Sequence, residues 1–470
     1  MTVGTRLTVY KQSTTIANRA AFVILCALIV FTTLAYGAVH QPVIAVFYLF
    51  TIVAAIILIA DGWISESLRL SGNLLQLALA AAAVYGLIQV IPFGYFTDGG
   101  VAEIARTISL DPFATRVSAL HFFVLFVFFA AISSLVRSAS RLRTLVNLVI
   151  IFGFLYAFYA ILQSVLSPQK IYGIYESRFA APFGSFVNRH NFAAYMEMAI
   201  ALPLGLLFTG AIQKDKRLLV ITAAGLMGVA LLLSGSRGGL IALFAELVAF
   251  VFLTASNKGW TSVAVKLGLS ILLFAVLIGG TIFVGGETSL SRIAETASGN
   301  NVTTGRSQIW KQTLDVIAAN FPLGAGLGAF GVAYTSHDEL SGLERVEQAH
   351  NDYLQVAADA GLPGILIGLF FLFFLTIQIN SIANIKNTFR RGAAVGAATG
   401  LVAILVHSLF DFVLHTTAVS VLFIVLLTIL YASRERYDDD EVGTMERSRA
   451  QRRRGKVSSF SQPVRTGELS

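Results

Sequence analysis

Three segments of this 470-residue chain gather side chains that can handle charge and protons. In the first, Arg178 and Arg189 flank Ala181-Pro182-Phe183-Gly184-Ser185-Phe186-Val187-Asn188, and His190 and Asn191 follow directly. In the second, Arg237 stands in Ser234-Gly235-Ser236-Arg237-Gly238-Gly239, between two apolar runs. In the third, His350, Asn351 and Asp352 follow Gln348-Ala349; Arg306 and Arg345 lie between the second and third. Guanidinium forks bind phosphate oxygens in pairs, so several arginines facing one another suit a diphosphate. A histidine, with a pKa near 6.5, can take a proton from a hydroxyl. An arginine beside hydrocarbon is costly unless it snorkels, pairs or lines a wet cavity. The glycines around Arg237 point to close backbone approach and a functional turn. His407, Asp411 and His415, four residues apart, are expected to share a helical face, a spacing that also occurs in metal sites and proton relays. No metal site and no cofactor is assigned. The single cysteine, Cys26, excludes an internal disulfide and a cysteine-based zinc site.

The elements that position these residues must be membrane helices. Only 13% of the residues are charged and 56% are hydrophobic, with a mean hydropathy of +0.75. About 25% charged is normal for a soluble protein, so a soluble enzyme and a disordered chain are both excluded. About 20 apolar residues cross a bilayer, and runs of that length read as helices at 20–38, 42–60, 73–92, 116–136, 143–166, 191–211, 217–234, 238–255, 263–285, 356–380, 391–409 and 413–432. The runs lack period-2 alternation, which argues against a β-barrel. The expected fold is therefore all-α and polytopic, with about 12 transmembrane helices. Residues 1–19 form an N-terminal extension, 20–166 the first helices, 167–432 the functional membrane domain, and 433–470 a polar, disordered tail.

Charge orients the chain. With the N-terminus in the cytoplasm, only ten of the 34 Lys and Arg residues fall on the outer side. That is the asymmetry the positive-inside rule requires, and it places both termini in the cytoplasm of a multi-pass membrane protein. The net charge of +8 is thus a topology signal, not a nucleic-acid one. Arg178, Arg189, Arg237, Arg306 and Arg345 are among the ten left outside.

Two outer connections are long, 167–190 and 286–355. The second is expected to hold an amphipathic helix from Thr304, with Ile309, Trp310, Leu314, Ile317 and Ala318 on its apolar side, lying on the membrane surface and ending at Phe321-Pro322. A further helix is expected to start near His350 and stop at Gly361-Leu362-Pro363-Gly364. Its first turn presents free N–H groups and partial positive charge, which favour an anion. Gly326, Gly328 and Gly331 satisfy G-x-G-x-x-G, but no strand precedes them, so the segment reads as a tight turn.

Four stretches together resemble the O-antigen ligase/O-antigen polymerase family of bacterial polysaccharide-assembly membrane proteins. They are Arg178 through Tyr195, Ser234 through Leu240, Gly305 through Phe330, and Ala349 through Leu366. The resemblance covers the middle and later half of the chain. It implies a GT-C-like glycosyltransferase architecture with a large helical periplasmic loop. It implies transfer of a glycan from undecaprenyl diphosphate to a sugar acceptor on the outer face of the inner membrane, inverting and metal-independent. The acceptor is a lipid-linked repeat unit in a polymerase of exopolysaccharide or O-antigen, and the lipid A–core of lipopolysaccharide in a ligase. The resemblance places the base on His350 and diphosphate contacts on Arg178, Arg189, Arg237 and Arg306. Arg237 is also assigned to the catalytic group; His190, Asn191, Arg345 and Asn351 are secondary candidates. Relatives often carry an Asn-His order where this chain has His190-Asn191. Partners implied are the lipid-linked donor, the acceptor, membrane lipids, a chain-length regulator and a flippase. A polytopic transporter or flippase, or a non-catalytic assembly scaffold, is the competing reading from another class. The absence of half-to-half similarity weighs against the transporter.

Overall fold

In a computed structural model, the described residues are 15–66, 71–98, 101–177, 180–254, 306–339 and 345–434, with residues 268, 271 and 275. They form thirteen α-helices and two short β-hairpins. The first half holds α1 (Ile16–Leu34), α2 (Gln41–Ile64), α3 (Gln76–Gln89), the hairpin β1 (Tyr95–Asp98) and β2 (Val101–Ala105), α4 (Pro112–Leu135) and α5 (Ala139–Leu166). The hairpin β3 (Lys170–Ile171) and β4 (Tyr175–Glu176) leads to α6 (Arg189–Phe208), α7 (Arg217–Leu233) and α8 (Arg237–Thr254). Then follow α9 (Arg306–Asn320), α10 (Phe330–Thr335), α11 (Asp352–Asn380), α12 (Thr388–His407) and α13 (Thr417–Arg434).

Ten of these helices are long and apolar enough to cross a membrane: all but α3, α9 and α10. The protein is an all-α polytopic membrane protein. Helix α3, 14 residues long, is shorter than the span expected at 73–92. The span expected at 263–285 lies outside the described residues apart from 268, 271 and 275, as does the tail beyond Arg434. Local caps start several helices. Asp111 accepts from the Ala114 amide at 3.0 Å, Asn188 from His190 at 2.9 Å, and Asn387 from Arg390 at 3.0 Å.

Helix α6 lies at the centre. Its apolar window is 89% buried within the protein, against 17% for α2 at the rim. It packs on α5, α7, α8, α12 and α13. Gly392, Gly396 and Gly400 recur every four residues along α12 and remove side chains from the face that meets α6. A Cβ on Gly396 would stand 2.6 Å from the Ala201 carbonyl oxygen and 2.8 Å from Leu202 Cα. Such close backbone approach replaces the hydrophobic effect as the force between helices in lipid.

A second, smaller cluster lies beneath α9 and α10, formed by Val316, Phe330, Ala333, Tyr334, Ala349 and Ala358. The glycine segment is the turn that the sequence suggests. Gly324, Gly326 and Gly328 all adopt positive φ, and the Gly328 amide donates to Asp359 Oδ2 at 3.0 Å. Gln89 of α3 clamps the same turn, donating to the Leu323 and Asp359 carbonyls and accepting from Leu327 N–H.

Three expectations change. Helix α11 does not stop at Gly361; it breaks there, with φ 56° and ψ −143°, and continues into the membrane span. The amide freed at the break, that of Leu362, donates to Pro322 O at 2.8 Å. Helix α9 does not bury the apolar stripe as a whole. Gln312, Thr313 and Val316 are buried while Leu314 is 56% exposed. The cause is that its inner face meets α11 and α10, where Tyr334 Oη donates to Gln312 Oε1. The connections 91–111 and 167–188 carry β-hairpins that no periodicity announced.

Gly396→Leu is expected to lower the thermal unfolding midpoint in detergent by several degrees, since overpacking costs about 1–3 kcal/mol. Gly225→Leu on α7, where a Cβ meets nothing within 4 Å, should leave the midpoint unchanged.

Candidate active site

The site forms where α12 ends. His407, Asp411 and His415 do not share one helical face: α12 stops at His407, and a 3-10 turn at Val413–His415 follows. Each of the three then finds a separate partner. His407 Nδ1 meets Glu197 of α6 at 3.0 Å, Asp411 meets His350 and Arg306, and His415 Nδ1 meets Asp352 Oδ1 at 3.1 Å. The first turn of α11 makes this ending possible. The Asp352 amide donates to Ser408 O at 2.9 Å, and Asn351 Nδ2 to Leu409 O at 2.9 Å, so carbonyls left by the terminated helix are satisfied. Asn351 also caps α11, accepting from the Tyr353 and Leu354 amides.

Asp411 is the hub. Its side chain is 2% exposed, against 31% for His350. Oδ1 lies 3.1 Å from His350 Nδ1 and accepts from the Phe412 amide at 3.0 Å. Oδ2 accepts from Arg306 Nη2 at 3.1 Å, and His190 Nδ1 is 3.8 Å away. Arg306 Nη1 donates to the neighbouring Phe410 carbonyl. Burial alone would raise the Asp411 pKa. The hydrogen bond from His350 and the positive charge of Arg306 reverse this and hold the carboxyl well below the usual range. An ionised Asp411 accepts a hydrogen bond from His350 Nδ1–H, and in that tautomer Nε2 keeps a lone pair that can take a proton. His350 itself has φ +50°, a left-handed conformation that costs a non-glycine residue roughly 1–3 kcal/mol.

Arg237 opens α8. Gly235 turns the chain with φ +65°, and Ser236 Oγ accepts from the Gly239 amide at 3.2 Å. The same hydroxyl meets His190 Nδ1 at 2.9 Å, which joins the starts of α6 and α8. Gly238 rests on His407, whose Nε2 would be 2.7 Å from a Cβ at that position. Arg189 opens α6, its amide held by Ala181 O at 2.9 Å, and Asn191 is buried in the same turn. Four of the candidates therefore converge on or beside Asp411: His350, Arg306, His190 and, through Asn351, the start of α11. Arg345 does not join them; it is 65% exposed and lies 3.8 Å from Glu347. Arg178 lies outside the described residues.

Asp411, Asp352, Glu197 and Ser236 carry much of this geometry without standing out in the sequence as site residues. Asp411 was marked by its spacing between two histidines, and Asp352 and Ser236 only by their place in the segments of His350 and Arg237. Among the described residues, no group of three or more His, Cys, Asp or Glu is placed to hold a metal ion.

The Asp352–His415 pair yields a pH test. Burial pushes the His415 pKa down, and the hydrogen bond and charge of Asp352 more than compensate, so it lies above the ordinary value of 6.5. The pair's contribution to stability is full below about pH 6.5 and is lost as pH rises through the raised folded-state pKa. The gap in unfolding midpoint between the wild type and His415→Gln should be widest near pH 6 and narrow towards pH 9.

Residues 222–369 match the protein family described as O-antigen ligase. That segment holds Arg237, Arg306 and His350, whereas His190 and Asp411 lie on either side of it. No curated protein matches the chain. Over residues 222–369, about a third of its length, this membrane protein is thus similar to the O-antigen ligase family.

Proposed function

We propose that the chain transfers an oligosaccharide or polysaccharide from undecaprenyl diphosphate to a sugar hydroxyl at the periplasmic face of the inner membrane, polymerising exopolysaccharide or O-antigen repeat units. The observation that carries the reading is the His350–Asp411–Arg306 chain, an oriented base beside a cation, at one end of a membrane bundle. The positive-inside distribution of charge supports placing that end in the periplasm and both termini in the cytoplasm.

His350 Nε2 takes the proton of the acceptor hydroxyl as its oxygen attacks the anomeric carbon. The new glycosidic C–O bond forms on the face opposite the departing group, and the configuration inverts. The old C–O bond breaks, and its electron pair stays on the diphosphate oxygen. Arg237, at the N-terminus of α8, and Arg189, at that of α6, neutralise the charge that develops there, aided by the helix dipoles. Arg178 is proposed as a further contact on the same diphosphate. Arg306 spends two N–H groups on Asp411 and Phe410; it fixes Asp411 and adds positive field to the leaving group. His190, Asn191 and Asn351 position the helix starts. The donor is already activated, so charge neutralisation and one base suffice for the reaction without a metal ion.

The family description, O-antigen ligase, favours a second reading in which the acceptor is the lipid A–core. The two share one chemistry and differ in acceptor.

The test uses the purified protein in detergent with a lipid diphosphate-linked oligosaccharide. His350→Ala should lower turnover about 10²–10⁴-fold, the usual worth of a positioned base. Arg237→Ala should lower it about 10²-fold or more. Asp411→Asn should fall between wild type and His350→Ala, because an amide with both donor and acceptor replaces the acceptor-only carboxylate that sets the imidazole's tautomer. Wild-type turnover in both His350→Ala and Arg237→Ala would refute the assignment. Supplying either a lipid-linked repeat unit or lipid A–core as acceptor separates polymerase from ligase. Uptake of donor into vesicles without any glycosidic bond formed would favour a transporter.

A further inference from the structure

A second histidine–carboxylate pair stands beside the first and has no part in the reaction above. His415 Nδ1 lies 3.1 Å from Asp352 Oδ1. Asp352 is itself fixed, because its Oδ2 accepts from Ser408 Oγ at 2.7 Å and its backbone amide is bound by Ser408 O. The carboxylate is 9% exposed, whereas the His415 side chain is 40% exposed. An imidazole held through Nδ1 with its other edge uncovered is built to hydrogen-bond something outside the protein. Neutralising Asp352 alone would not require that exposure.

The placement indicates what that something is. The two oxygens of Asp411 separate two sides of the site. Oδ2 faces the Arg306 guanidinium at 3.1 Å, with the His190 imidazole 3.8 Å away. Oδ1 faces His350, and beyond it lies the Phe412 ring, its centroid 4.9 Å from that of His350 and 6.3 Å from that of His415. Both imidazoles stand steeply to this half-buried ring, at 76° and 69°. The anionic leaving group belongs on the side of the Arg306 cation. A sugar that presents its hydroxyl to His350 therefore lies towards Phe412 and His415. An apolar ring flanked by two polar hydrogen-bonding groups matches a pyranose, which offers C–H faces and a rim of hydroxyls. On a further side His121 of α4, hydrogen-bonded to Tyr48 of α2 at 2.9 Å, lies within electrostatic reach of His415. These helices lie outside the segment that matches the family, so this side of the site is not set by the shared segment.

We propose that His415, fixed by Asp352, binds the acceptor saccharide, hydrogen-bonding through Nε2 to a hydroxyl of the sugar that lies on Phe412 and offers its attacking oxygen to His350. The proposal rests on the glycan-transfer reading above. It makes His415 an acceptor-binding residue, distinct from the base.

The experiment takes the full-length protein in detergent, the lipid-linked oligosaccharide purified from the source cells as donor, and the free saccharide released from that donor as acceptor. His415→Ala should raise the KM for the acceptor about tenfold, the worth of one good hydrogen bond, with kcat at saturating acceptor and the donor KM within about twofold of wild type. His415→Gln, which keeps a polar head, should recover part of the loss. An unchanged acceptor KM, a fall in kcat alone, or an equal rise in donor KM overturns the proposal. Saturation-transfer NMR of the free saccharide reads the contact without catalysis. The signal should be present with wild type and with His350→Ala, and lost with His415→Ala or, should that variant fail to fold, weakened with His415→Gln. Absence of binding to wild type, or binding unaltered in the His415 variants, overturns the proposal. Absence of transfer by wild type, with His415-dependent binding intact, overturns instead the reaction assigned above.

Discussion

A carboxylate that is 2% exposed cannot stay ionised unless donors replace the water it has lost, and Asp411 imposes that requirement on the surrounding structure. Its donors come from distant parts of the chain: Arg306 at the start of α9, His350 just before α11, and the Phe412 amide beside it, with His190 at the start of α6 nearby. Arg306 opens α9 and His350 stands just before the Asn351 cap of α11, so satisfying one carboxylate holds two helix starts together. Removing one partner from such a buried pair typically costs about 3–5 kcal/mol, because the other charge is left alone. The geometry that a base catalyst needs is therefore a by-product of solvating a buried acid.

Below this hub the constraint changes from polar to steric. The glycine ridge of α12 lets α6 approach to backbone contact, and that approach brings Glu197 within reach of His407. His407 in turn supports Gly238, and so the turn that carries Arg237. Apolar packing in the bundle thus reaches the site through one buried hydrogen bond, that of His407 with Glu197. The crosswise pairing above it, His350 with Asp411 and Asp352 with His415, ties the α11 start to the α12–α13 connection at two points. Two anchors resist rotation better than one, which is how a half-exposed histidine can keep a defined direction.

The segment that matches the family ends at residue 369, yet the acid that orients His350 lies at 411 and the histidine beside the cations at 190. The matched segment supplies His350 and two arginines; the parts of the chain on either side supply Asp411 and His190.

Much of the molecule was legible in its residues. Too few charges, long apolar runs and an uneven division of Lys and Arg determine a polytopic helical bundle, because the energy of placing an apolar run in hydrocarbon is set by its own side chains. Caps such as Asn351 and Asn188, and the glycine turn at 324–328, are also local, since they act within four residues. The sequence likewise singled out His350, Arg237 and Arg306 by type and neighbourhood. What it could not determine was pairing. The spacing of His407, Asp411 and His415 reads as one helical face, but the α11 start takes up the carbonyls that would have continued the helix, and the three diverge. Arg345 looks like Arg306 in sequence, yet one pairs with a surface glutamate and the other with Asp411. Partners separated by 61 or 105 residues meet only when the bundle closes, and tertiary packing alone decides which charge loses its water.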